Sequence, residues 1–120
     1  MSDSTGEYTD DHGYELIGLS LDREFTEWAW YSDLPTRVAF IHILFRALNE
    51  HDLYGGKKRG EWTCHDSKCH EIGITQPQFR RALRNLEKTG HITIQKIRYG
   101  RTVCKRITVA NYDMYLHWGL

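Results

Sequence analysis

Residues 73–109 constrain this chain more than any other stretch, because they hold a helix marked at both ends and, directly after it, two strand-forming runs. Gly73 offers a tight turn and Thr75 is a good N-cap. Pro77 falls in the first turn, where its missing N–H leaves no helical bond unmade. Gly90 supplies the stop shortly after Lys88. Between these marks Phe79, Ala82, Leu83 and Leu86 recur at i, i+3, i+4 and i+7, which defines one buried face. The runs HITIQKI and TVCKRITV are rich in β-branched residues and are separated by Arg98, Tyr99, Gly100 and Arg101, the pattern of a β-hairpin.

The upstream residues supply partners for that unit. Pro35, with Ser32 or Asp33 as a capping residue, opens a helix through VAFIHILFRALNE. Val38, Ile41, Phe45 and Leu48 follow helical spacing, while Phe40, Ile43 and Leu44 make the helix apolar on nearly every side, so it is central in the fold or buried in a dimer. Glu61 to Cys64 reads as a brief extended stretch, and Asp66 or Ser67 starts a short helix carrying Cys69 and Ile72. Between them and the long helix lies a basic glycine loop at residues 55–60. Phe25, Trp28, Trp30 and Tyr31 read as packing aromatics on a short turn or helix. Tyr112, Tyr115, Leu116 and Trp118 are spaced for a final helix or a partner surface.

The expected organisation is an acidic, flexible arm over residues 1–20 and one folded domain over residues 21–120. At 120 residues, with 40% hydrophobic and 12% aromatic side chains, the chain can bury a core without metals or disulfides. The three cysteines are odd in number, no secretory signal is recognisable, and the longest apolar run falls short of the ~20 residues a membrane span needs. These features predict a reducing cytoplasm, with no membrane association.

A formal net charge of zero conceals a division along the chain. Residues 1–33 hold nine acids against Arg23 alone, a net −8, and the remainder is +8. Between Gln76 and Val109 there are nine bases (Arg80, Arg81, Arg84, Lys88, Lys96, Arg98, Arg101, Lys105 and Arg106) against Glu87 only. An ordinary exposed helix mixes signs to form i,i+4 pairs. Cationic crowding of this kind suits a polyanion, which responds to the local field and not to the average charge.

The element order is helix, short strand, short helix, turn, capped helix and hairpin, an α+β arrangement that reads as a winged helix-turn-helix with a three-helix core and a C-terminal β-hairpin wing. Thr75, Gln76 and Gln78 then lie in the first turn of a recognition helix, where Gln can bond adenine and Arg can bond guanine in the major groove. Arg80, Arg81, Arg84 and Lys88 follow on its outer side, the last two nearer phosphates. Arg98, Tyr99 and Arg101 at the wing tip suit the sugar-phosphate backbone or a minor groove. The expected partner is double-stranded DNA.

Cys64, His65, Cys69 and His70 are zinc-type ligands, but four so close in sequence are poorly placed to close a tetrahedron, and no metal or other cofactor is expected. Carboxylates and histidines are scattered and no GxxxxGK[ST] loop occurs, so the reading is not that of an enzyme.

Three phrases carry a family resemblance: EWAWYSDLPTRVAFIHILFRAL, GITQPQFRRALRNLEKTGHITI and RITVANYDMY. With them, residues 25–115 resemble the N-terminal winged-helix domain of phage and mobile-element replication initiators of the replisome-organiser type. The middle phrase is shared with many bacterial winged-helix regulators. The resemblance implies binding to repeats at a replication origin, often as a homodimer, with a further domain that recruits replication proteins. The recognition positions it implies here are Thr75, Gln76, Gln78, Arg80, Arg81 and Arg84. A winged-helix transcriptional regulator at an operator, and a protein-interaction module that binds a host protein, remain as alternatives.

Overall fold

The structure is a computed structural model, and it describes residues 15–49 and 60–119. Its elements are strand β1 (Glu15–Leu19), helix α1 (Leu34–Asn49), strand β2 (Glu61–Cys64), helices α2 (Cys69–Ile72) and α3 (Gln76–Lys88), and strands β3 (Ile92–Tyr99), β4 (Thr102–Val109) and β5 (Leu116–Gly119). Short 3-10 turns at Arg23–Glu27, Asp66–Lys68 and Tyr112–Tyr115 join them. The three helices and a three-stranded antiparallel sheet of order β2-β4-β3 make an α+β domain, and β1 pairs with β5 in a separate two-stranded ribbon.

A capping box closes the N-terminal end of α3. The Thr75 hydroxyl accepts from the Gln78 backbone N–H while the Gln78 side chain accepts from the Thr75 N–H, so two orphan donors are satisfied reciprocally. Gly73, at φ +85, gives α2 a left-handed C-cap that a β-carbon would strain. Phe79, Ala82, Leu83 and Leu86 are all buried, as their spacing requires.

Those residues meet Ala39, Phe40, Ile43, Leu44 and Ala47 of α1, with Trp62, Cys69, Ile92 and Ile107 completing the core. The buried stripe of α1 therefore differs from the 38/41/45/48 spacing: Phe45 is exposed, and the apolar residues between carry the packing. A helix apolar on most sides has no dominant face in its sequence, so tertiary contacts choose the face. Asp33 immediately precedes α1, and its Oδ2 accepts from the Thr36 hydroxyl at 3.0 Å and from Asn85 Nδ2 of α3 at 3.3 Å. Asn85 also donates to Thr36 Oγ1, so a polar triangle fastens α1 to α3 around a fully buried threonine.

Two expectations need correction. Residues 1–14 of the arm lie outside the described residues, but Glu15–Leu19 is a strand, with Leu19 opposite Leu116. The C-terminal aromatics form one short 3-10 helix, Tyr112–Tyr115, and then a strand, in place of a continuous final helix. Left-handed Asn111 begins a 3-10 turn, and the buried Tyr112 hydroxyl donates to the Leu44 carbonyl at 2.9 Å, after which the chain runs out as β5. The 55–59 part of the basic glycine loop also lies outside the described residues.

Upstream, Phe25 stacks on Trp28 with ring centroids 5.1 Å apart, and Trp28 in turn packs on Phe40 at 5.0 Å. Trp28 Nε1 donates to His91 Nε2 at 2.9 Å and Trp30 Nε1 donates to Thr89 Oγ1, which ties this aromatic segment to the end of α3.

Candidate nucleic-acid interface

With Phe79, Ala82, Leu83 and Leu86 inward, the 3.6-residue repeat turns Pro77, Arg81, Arg84 and Lys88 outward and puts Arg80 and Glu87 on the flank nearest the sheet. Arg80, Arg81, Arg84 and Lys88 are exposed. The first-turn residues are less available than their positions imply. Gln78 closes the capping box, and Gln76 Oε1 accepts from an Arg80 guanidinium nitrogen at 2.9 Å.

The hairpin brings its cations to the same side as α3. Cross-strand partners share a face of a sheet, and the register pairs Ile92 with Val109, Ile94 with Ile107, Lys96 with Lys105 and Arg98 with Val103. The face that packs on the helices near Ile92 therefore becomes cationic as the ribbon runs past the core. Arg80, Leu83, Arg84, Glu87, Ile94, Lys96 and Lys105 line one cleft of about 270 Å³ between α3 and the ribbon. Four bases and one acid face each other across it.

At the tip, Tyr99 pairs with Thr102 around a two-residue turn, with Gly100 at φ +62. Arg101 keeps a negative φ, the pattern of a type II′ hairpin, whose twist matches the flanking strands. Arg98 and Arg101 are exposed there. Tyr99 alternates onto the other face, and so does Arg106, opposite Gln95. Arg106 Nε is buried with no hydrogen-bond partner, so Arg106 does not join the cleft.

Acids distant in sequence hold some of the cations. Asp66 accepts from Arg80 Nε at 2.8 Å and pairs with Lys105 Nζ at 2.9 Å, and Arg81 lies 3.6 Å from Asp33. Burial alone would raise the Asp66 carboxyl, but hydrogen bonds and charge from Arg80 and Lys105 outweigh it and hold the group below the usual carboxylate range. Arg84, Lys88, Lys96, Arg98 and Arg101 form no ion pair among the described residues. Lys96, Lys105 and Asp66 were not among the sequence-derived site residues. The alternation of β3, which carries Lys96 and Arg98 on the face of Ile92 and Ile94, was the signal available for Lys96; no local pattern announces Asp66.

The cysteine and histidine cluster is dispersed. Cys64 and Cys69 are buried, and His65 is exposed, its Nδ1 accepting from the Ser67 N–H to cap the 3-10 turn. Burial, with the nearby Asp66 charge, pushes the Cys64 thiol up to about 12. Among the described residues no three His, Cys, Asp or Glu side chains gather as a metal site, and no helix is long and apolar enough to cross a membrane. No family model, curated protein or solved structure matches the chain.

Proposed function

We propose that this chain is a winged helix-turn-helix domain that binds double-stranded DNA with sequence preference, with α3 in the major groove and the β3-β4 hairpin as a wing on the adjoining backbone. The order α1, β2, α2, α3, β3, β4 and the sheet order β2-β4-β3 support the fold assignment. The observation that carries the function is the cleft between α3 and the ribbon, where Asp66 pairs with Arg80 and Lys105 but Arg84 and Lys96 have no ion-pair partner among the described residues. Unpaired bases drawn from two elements onto one surface repel each other unless a further anion lies between them.

Arg81, Arg84 and Lys88 stand on the outer side of a helix about 20 Å long, which fits a major groove about 12 Å wide. The setting we propose is the origin-binding domain of a phage or mobile-element replication initiator, in keeping with the resemblance of residues 25–115. Selection of bound sites from random duplex DNA tests binding and specificity together, and paired half-sites among the winners would mark a dimer. Sites recovered as repeats beside an origin support initiation, whereas sites at promoters support a regulator.

The five cations without ion pairs give a quantitative check. If each neutralises one phosphate, log K falls against log salt with a slope near ~−4.5. Arg84→Ala, Arg98→Ala and Arg101→Ala are each expected to weaken binding to all sequences alike. Affinity indifferent to salt, or unchanged in all three variants, refutes the docking.

A further inference from the structure

Asp66 stands in a place where a DNA-binding surface has an evident reason to exclude an acid. It lies in the turn before α2, its side chain only 15% exposed, and it reaches cations from two other elements, Arg80 of α3 and Lys105 of β4. Arg80 is engaged twice, since its guanidinium also donates to Gln76 Oε1. The Arg80 side chain is half exposed, so its pair with Asp66 adds little to stability, whereas the Lys105 pair is more enclosed, at 21% and 15% exposure. A structural role accounts for the pairing with Lys105 but gives a weak account of why the same carboxylate also holds Arg80 at the edge of the cationic cleft.

Binding to random duplex scales with the number of cations free to displace counterions, whereas selectivity depends on side chains fixed toward base edges. One carboxylate acts on both terms here. It occupies two cations that would otherwise seek phosphates, and it fixes the direction of a guanidinium on the flank of α3. Resting on the DNA-binding reading above, we infer that Asp66 is a specificity-determining residue: it withholds Arg80 and Lys105 from phosphate contact and so suppresses binding to nonspecific DNA.

The test compares the full chain with Asp66→Asn on a random-sequence duplex and on a selected site, over 50 to 200 mM salt. Freeing two cations steepens the log–log slope by ~1.8, so the variant's advantage on random duplex shrinks roughly 12-fold across that fourfold range. The preference for the selected site falls at the same time. A variant whose line runs parallel to that of the parent, with preference retained, overturns the inference.

Lys105→Met supplies a second arm that does not depend on the folding of the Asp66 variant. In the parent background it leaves the slope unchanged, because Lys105 is already occupied; combined with Asp66→Asn it takes back about half of the increase, ~0.9. A flatter slope for Lys105→Met alone shows that Lys105 reaches phosphate despite Asp66, and overturns the proposal. If the parent chain itself fails to bind duplex in this salt window, the DNA-binding reading falls and the role of Asp66 with it; parent binding with an unaltered Asp66→Asn slope removes only the latter.

Discussion

Replacing Asp33 by alanine probes how α3 is held at a fixed angle to α1. The Thr36 hydroxyl, fully buried, donates to Asp33 Oδ2, and Asn85 Nδ2 donates to the same oxygen. Alanine removes that acceptor. A buried hydroxyl proton left without one costs about 1–3 kcal/mol, and the lost Asn85 bond adds roughly 0.5–1.5 kcal/mol, partly recovered because Asn85 still donates to Thr36 Oγ1. The Arg81 pair, at 3.6 Å and with the Arg81 side chain about half exposed, contributes next to nothing. The expected loss is therefore about 2–4 kcal/mol, or a midpoint lowered by roughly 8–25 °C for a domain of this size. Thermal and urea unfolding followed by circular dichroism measures it. Asp33→Asn keeps an oxygen where the two donors converge and is expected to lose less than half as much. Equal losses for the two variants, or a loss below about 0.5 kcal/mol for alanine, refute the claim that the shared acceptor is what matters.

Thr75→Ala opens the capping box and is expected to cost about 1 kcal/mol in urea unfolding, with the base preference at the start of α3 blurred as its first turn frays. Burial lowers the His91 pKa below its ordinary value. The unfolded chain therefore takes up the proton first: stability is complete above about pH 6.5 and declines as pH falls below it, and His91→Gln flattens that decline in melting curves from pH 7.5 to 5. His42, also lowered, first by burial and then by Arg46 against the opposing pull of Glu71, leaves a residual slope of the same sign in the His91 variant. Gly100→Val places a β-branched residue at φ +62, so the hairpin tip distorts; we expect a stability loss of about 1–2 kcal/mol by urea unfolding and weaker binding to every duplex.

What the sequence disclosed follows from the range of the interactions involved. The ends of α3 were legible because Thr75, Pro77 and Gly90 act within one turn of their own positions, and the hairpin because Gly100 needs only its neighbours. The face of α1 was not, since Phe40, Ile43 and Leu44 compete with Val38, Ile41 and Phe45 and only contact with α3 and Trp62 decides between them. The β1-β5 ribbon joins opposite ends of the chain with little alternation to announce it. In the candidate site the cations of α3 and of the hairpin tip could be named in advance, whereas Lys96, Lys105 and the occupancy of the set could not. Asp66 is 14 positions from Arg80, and Gln78 looks like a base reader until its amide is found closing a helix cap.

That occupancy changes what overall neutrality means for this chain. A net charge of zero could arise from acids spread evenly among the bases, which would leave no field for a polyanion to find. Here the acids near α3 are selective: Asp66 takes Arg80 and Lys105, and Asp33 approaches Arg81, while among the described residues Arg84, Lys88, Lys96, Arg98 and Arg101 stay unpaired. The unpaired set runs from the outer side of α3 to the hairpin tip, whereas the paired cations are Arg80 on the flank of the helix, Arg81 at its outer side and Lys105 on β4. A solvated basic surface has no need of such a partition, because water and salt screen its charges equally. The division has a use if one group meets phosphates and the other must be held still, and the Lys105→Met and Arg84→Ala variants separate the two groups directly: the first is expected to leave the salt slope as it is, and the second to flatten it by ~0.9.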